Sequence, residues 1–227
     1  MKIVSGRGRA SGRAVPSDRS MKRETMKTGA QPPRQAPWKV HPATPARWAD
    51  LEALFGERGA CGGCWCMTWR LPRKEWLAGK GEKNRRGLHS IVAAGGKPGI
   101  IGYVGREPVA WCSVAPREEF VALERSRVLQ PVDPTPVWSV SCLFVKKPYR
   151  RMGLSSRMLE AAVEFAARSG ARVVEGYPVE ASMERMPDPF LWTGLPEAFR
   201  KVGFREVLRR SRVRPIMRRE IAARRRS

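Results

Sequence analysis

The run Lys146-Lys147-Pro148-Tyr149-Arg150-Arg151-Met152-Gly153-Leu154-Ser155-Ser156 gathers four cationic side chains, one glycine and two serine hydroxyls. These are the groups that a phosphate ester needs. The cations neutralise it, the hydroxyls donate to it, and glycine lets the backbone come close to it. The run follows an apolar stretch and precedes an amphipathic one. It therefore reads as the turn from a buried strand into a helix that starts at Gly153. The first backbone N–H groups of a helix have no internal acceptor and lie at its positive dipole end, so they suit a pyrophosphate.

A second constellation is Cys61-Gly62-Gly63-Cys64-Trp65-Cys66-Met67-Thr68-Trp69-Arg70. Three readings fit it. Cys61, Cys64 and Cys66 have a spacing that can offer three thiolates to zinc, with His89 or Cys112 as the fourth ligand, although the second cysteine pair of a zinc ribbon is missing. The thiols, Trp65 and Trp69 can instead wall a substrate pocket. The plainest reading is a glycine-hinged loop with buried cysteines. His41 and His89 stand alone in the sequence and read as structural.

Several elements must position these groups. Trp38–His41 reads as a first strand. Thr44 and Pro45 then open a helix that carries Trp48, Leu51 and Phe55 on one face. Residues 82–94 form a second helix, with Leu88, Ile91 and Val92 inward. Ile100–Val104 and Val109–Ala115 make a hairpin around Gly105-Arg106-Glu107-Pro108, with Trp111 in the core. Residues 116–136 form a polar connection with a short helix at 118–126. Val137–Val145 is the strongest strand. Residues 153–169 are the strongest helix, with Leu154, Met158, Ala162 and Phe165 on one face and Ser169-Gly170 as its stop. Ala171–Tyr177 is a further strand, Pro196–Val202 a short helix, and 204–208 and 213–217 close the sheet. The strand–helix–strand unit 137–177 implies a parallel pair joined by a right-handed crossover.

In that setting Arg150-Arg151-Met152-Gly153-Leu154-Ser155 resembles the Arg/Gln-x-x-Gly-x-Gly/Ala signature of the GNAT superfamily of N-acetyltransferases. The last position is Ser where the family has Gly or Ala. Leu143-x-Val145, Pro148 and the later Gly203-Phe204 also fit, and the resemblance spans roughly Trp38–Met217. It implies a mixed α/β fold, a mostly antiparallel central sheet of six to seven strands flanked by about four helices, with the fourth and fifth strands parallel and splayed. Acetyl-CoA would be the co-substrate, held by Leu143, Phe144 and Val145 of the fourth strand and by Arg150, Arg151, Met152, Gly153, Leu154, Ser155 and Ser156. A backbone N–H of the fourth strand would hold the thioester oxygen. The family often takes its general acid from a Tyr in the fourth helix. That position is Phe199 here, and Phe carries no proton to give. Tyr177 is the substitute on this reading, and Glu175, on the same strand face, is the base. The Cys61–Cys66 segment would fall beside the acceptor pocket. Trp192 and Asp188, in the long segment 178–195, could cover it.

The chain has 227 residues and a formal charge of +23. Nine Lys/Arg against two acids lie in residues 1–37, and nine Arg against one acid in 209–227. Residues 1–36 read as a disordered basic tail, 37–218 as the acyltransferase domain and 219–227 as a second basic tail. The tails could contact polyanions non-specifically. No apolar run reaches the roughly 18 residues of a membrane span, and no secretory signal is evident, so a cytoplasmic protein without disulfides is expected. The function expected is direct transfer of acetyl from acetyl-CoA to the primary amine of a small molecule or peptide. A homodimer is compatible with it. The alternatives are a basic nucleic-acid-binding protein with an inactive domain of this type, and a non-catalytic acyl-CoA sensor.

Overall fold

The computed structural model describes residues 36–180 and 192–222. Most of the two basic tails, and Asp188, lie outside the described residues. Among those described, one seven-stranded sheet has the order β1-β2-β3-β4-β5-β7-β6. Its strands are β1 Trp38–Pro42, β2 Gly99–Val104, β3 Glu107–Pro116, β4 Trp138–Val145, β5 Val173–Gly176, β6 Arg205–Arg209 and β7 Pro215–Glu220. All neighbours pair antiparallel except β4 and β5, which are parallel. The expected sheet is therefore present. β7 runs two residues past the boundary expected at 218.

The helices are α1 Trp48–Phe55, α2 Arg73–Ala78, α3 Glu82–Ala93, α4 Val121–Glu124, α5 Leu154–Arg168 and α6 Pro196–Lys201. Of these six, among the described residues, α4 falls within the short helix expected at 118–126, and α2 is the one without a counterpart in the sequence reading. At six residues α2 is too short to show a 3.6-residue period in sequence. The helix expected to open at Thr44 begins with a 3-10 turn, Pro45–Arg47, and Thr44 makes no capping hydrogen bond.

Helix α5 crosses one sheet face. Its apolar stripe, which includes Leu154, Met158, Ala162 and Phe165, is buried with Ile100, Cys112, Val140 and Val174 from four strands. On the opposite face α1, α3 and the loop between α1 and α2 enclose Trp65, Ile101, Trp111 and Cys142. Each fully buried large side chain contributes about 1.5–3 kcal/mol.

The β4–β5 ladder is short. Its register is Trp138↔Val174, Ser139↔Glu175 and Val140↔Gly176, and beyond Val140 the two strands separate. Along β3 the partner changes from Cys142 opposite Ser113 to Val140 opposite Val114, so Ser141 is an extra residue in β4. That bulge turns the end of β4 away from β5. Phe199 of α6 fills the base of the opening. It is fully buried and stands edge-on to Phe204, with centroids 5.1 Å apart. Gly176 makes the fit possible, because a Cβ there would lie 2.2 Å from the Phe199 ring.

Gly176→Ala is expected to cost about 1–3 kcal/mol by overpacking, read as a lower urea midpoint. Adding Phe199→Leu should recover part of the loss; an Ala variant as stable as the wild type would contradict this account of the opening.

Candidate active site

The turn after β4 is held from both sides. The Tyr149 hydroxyl donates to Glu107 Oε2 at 2.6 Å, and Lys146 Nζ reaches Glu107 Oε1 at 3.1 Å. The Tyr149 bond, with Lys146 beside it, holds the Glu107 carboxyl below the usual range. The Arg150 side chain donates to the Val145 carbonyl at 3.1 Å. Arg151 and Gly153 both have left-handed backbone, at φ 62° and 74°. Gly153 is the N-cap of α5, and no acidic residue lies in the first turn. The N–H groups of Leu154, Ser155 and Ser156 belong to that turn, whose donors a helix leaves without internal acceptors. Arg150, Arg151, Gly153, Ser155, Ser156, Glu197 and Lys201 surround a cavity of about 240 Å³, with Lys201 Nζ 2.8 Å from Glu197 Oε1. The space beside Gly153 is open, and a Cβ there would meet no atom within 4 Å.

A second cavity, of about 460 Å³, continues from this one along the opening between the strands. The two share Val145, Arg150, Ser155, Leu195 and Ala198. Leu143, Phe144 and Val145 form its β4 wall. The backbone of an antiparallel ladder alternates direction. The N–H groups of Leu143 and Val145 thus turn away from β3 and toward the opening. The Leu143 N–H donates there to the Trp192 carbonyl at 2.6 Å. Trp192 to Leu195 runs along the opening, and left-handed Gly194 (φ 83°) lies against Leu143 and Phe199.

A third cavity, of about 200 Å³, adjoins the second through Ala60, Cys61, Phe144 and Trp192. Trp69, Trp76, Trp192 and Phe144 form most of its wall, together with Thr68 and four thiols. The loop that carries this wall is coiled by glycine. Gly59, for example, has φ 56° and would hold a Cβ only 2.3 Å from the Trp65 ring. The thiols are in protonated settings. Contact with the Cys66 thiol, together with burial, raises Cys64; contact with Cys142 and burial raise Cys66. Burial and neighbouring Cys64 raise exposed Cys61.

The sequence-derived residues fall into three groups. Leu143, Phe144, Val145, Arg150, Arg151, Gly153, Leu154, Ser155 and Ser156 are brought together on the first two cavities. Met152 is not; it is exposed and walls none of the three. The zinc alternative gains no ligand shell. Cys66 accepts the Trp111 indole N–H at 3.0 Å, His89 stands edge-on to Trp48 at 4.7 Å, and no three His, Cys, Asp or Glu groups among the described residues are placed to hold a metal.

Tyr177 and Glu175 meet each other but not the opening. Both are fully buried and wall none of the three cavities. The Tyr177 hydroxyl donates to Glu175 Oε1 at 2.7 Å, lies 2.7 Å from Ser139 Oγ and accepts from Arg117 at 2.6 Å. Glu175 also accepts from Arg117 at 3.1 Å and from Arg218 at 2.7 Å. Burial, then the Glu175 charge, pushes the phenol well above its usual range. Same-face alternation put the two side chains together in sequence. It could not show that Ala115, Phe120, Leu123 and Ile216 cover them. Sequence reading missed Trp76, Lys80 and Lys201, which sit on short or solvent-facing segments with no pattern to mark them.

The chain belongs to the GNAT acetyltransferase family, whose model matches residues 57–184. Its fold is similar to that of a GNAT-family acetyltransferase from Listeria monocytogenes, at 8% identity and a TM-score of 0.51, over 81% of this chain and 95% of that one. A GNAT-family acetyltransferase from Streptococcus agalactiae aligns at 12% identity and a TM-score of 0.49, over 82% and 96%. A PaiA N-acetyltransferase from Thermoplasma acidophilum, determined in complex with coenzyme A, aligns at 11% and 0.47, over 82% and 99%. No curated protein matches the sequence. No helix among the described residues is long and apolar enough to cross a membrane.

Removing the Tyr177 hydroxyl leaves buried Glu175, Arg117 and Ser139 one bond short. Tyr177→Phe is expected to lower stability by about 1–3 kcal/mol, several degrees in melting temperature, with turnover at 25 °C within about twofold of wild type. A tenfold loss of turnover at unchanged stability would return Tyr177 to the chemistry.

Proposed function

We propose that the protein transfers an acetyl group from acetyl-CoA directly to a primary amine within a ternary complex. The observation that carries this reading is the continuity of three spaces. A cationic helix start, an opening lined by β4 backbone that has no strand partner on that side and an aromatic pocket follow one another along the end of β4. The diphosphate would lie at Gly153–Ser156, the pantetheine arm along Leu143–Val145, and the thioester next to Phe144.

The chemistry then needs little from side chains. The Leu143 or Val145 N–H would hold the carbonyl oxygen and stabilise the charge that grows on it during attack. For Leu143 this means exchanging the Trp192 carbonyl for the thioester. The amine nitrogen bonds to the acetyl carbon, the C–S bond breaks, and the sulfur leaves with the electron pair. The amine proton passes to water, and the thiolate is reprotonated from it. In this scheme Tyr177 and Glu175 hold β4 and β5 at their junction and do not move protons. Acetyl-CoA as co-substrate and a small or peptide amine as acceptor are the partners.

Two outcomes are expected. Gly153→Val places a branched side chain at a left-handed residue where the phosphate would approach. It should weaken coenzyme A binding at least about tenfold by calorimetry. With no enzymic base, kcat/KM should rise with pH in proportion to the neutral amine, reaching a plateau only near the amine's own pKa of about 10. Absence of coenzyme A binding by the wild type would remove the proposal. Binding without release of coenzyme A on any amine would leave the sensor reading.

A further inference from the structure

The acetyl-transfer reading leaves the acceptor unnamed, and the third cavity bears on it directly. We propose that the acceptor is a small aromatic primary amine with no second cationic group. The inference rests on the transfer reading above and concerns the pocket where the amine would wait.

Three features of the wall lead to it. The first is surface chemistry. Trp69, Trp76, Trp192 and Phe144 supply the rings, and the thiols of Cys64, Cys66 and Cys142 are protonated and behave as apolar, polarisable groups. Trp69 and Trp192 stand 5.9 Å apart at 40°, tilted faces of the same wall. Rings gain extra attraction from offset or edge contacts with other rings. The second is charge. Among the described residues lining the cavity, Lys80 is the one charged group, and no carboxylate joins it. Its ammonium lies 5.0 Å from the centre of the Trp76 ring. A polyamine or polycationic sugar would place a second ammonium in an apolar pocket that offers repulsion and no counter-ion. The third is size. An apolar cavity of about 150 Å³ suffices for benzene, so about 200 Å³ takes one ring and a short arm.

The junction sets the direction of binding. Cys61, Ala60, Phe144 and Trp192 belong to both this cavity and the one along β4. An aromatic body lying against the tryptophan wall would leave its aminomethyl end pointing through that junction at the thioester carbon. Nucleophilic attack then forms the amide bond as the C–S bond breaks. The amine proton goes to water, and coenzyme A leaves as the thiol.

The full chain, loaded with acetyl-CoA, is offered 2-phenylethylamine, isobutylamine and spermidine, and coenzyme A release is followed by chromatography. The expected kcat/KM for 2-phenylethylamine exceeds that for spermidine by on the order of 100-fold, with isobutylamine between them. Tryptophan fluorescence should be quenched by 2-phenylethylamine and not by spermidine. Trp76→Leu should lower kcat/KM for the aromatic amine about tenfold while the acetyl-CoA Kd stays unchanged. Equal or better use of spermidine, with acetyl-CoA still bound, overturns the acceptor assignment and leaves acetyl transfer standing. Failure to bind acetyl-CoA at all removes both. Should Trp76→Leu not fold, the wild-type panel and its fluorescence still decide.

Discussion

A parallel ladder that ends after three residue pairs controls this molecule. Parallel strands β4 and β5 hold together at Trp138–Val140 and then part. Main-chain groups beyond that point have no strand to bond, and a buried N–H without a partner is costly. The structure meets that cost locally with the Trp192 carbonyl on the Leu143 N–H. The same donors are the groups that an extended thioester arm needs. Binding capacity therefore arises from an interrupted sheet, and the side chains on β4 have little to do with it.

Three features keep the interruption in place. The extra residue Ser141 bends β4. Phe199 acts as a wedge, accepted only because Gly176 and Gly194 have no side chains. The third is the buried group of Glu175, Tyr177, Ser139, Arg117 and Arg218 at the last paired residues. A buried carboxylate needs such partners. Here they come from β4, β5, β7 and the turn after β3, so one ionic centre ties together the strands that must diverge beyond it. The family position that often carries a Tyr is occupied by the Phe199 wedge. Phe199 brings packing and no proton to the root of the opening.

The two ends of the opening differ in the kind of chemistry they offer. At the α5 end the helix start, Arg150 and Arg151 offer positive charge that suits a phosphorylated anion, while Lys201 is paired with Glu197. At the other end tryptophans and protonated thiols favour an apolar body. On the proposed reading a molecule charged at one end and reactive at the other would be aligned along β4, with its reactive carbon at the aromatic pocket. The loop Gly56–Pro72 builds that pocket by stacking left-handed residues. Trp65 and Cys66 are among them, although neither is glycine. Such backbone is strained for side-chain-bearing residues and persists only where packing enforces it. Here Trp65 stacks on Trp48, and Cys66 accepts the Trp111 N–H.

Local pattern in the amino-acid sequence was enough to determine the sheet's strands, the long helix α5 and the turn that leads into it. Each depends on neighbours a few residues apart: the β-rich run of 138–145, the stripe of Leu154, Met158, Ala162 and Phe165, and a glycine placed before that stripe. Only the tertiary structure decided what Tyr177 and the cysteines face. Alternation says that Glu175 and Tyr177 share a side of β5. Whether that side opens on a cavity or closes on Arg117 depends on a turn some 58 residues away. In the same way the spacing of Cys61, Cys64 and Cys66 fits zinc, a loop or a wall. The choice among them is made by Cys142 and Trp111, which strands far along the chain bring beside Cys66. Short-range order is written in consecutive residues, whereas burial is a property of whatever the fold lays on top.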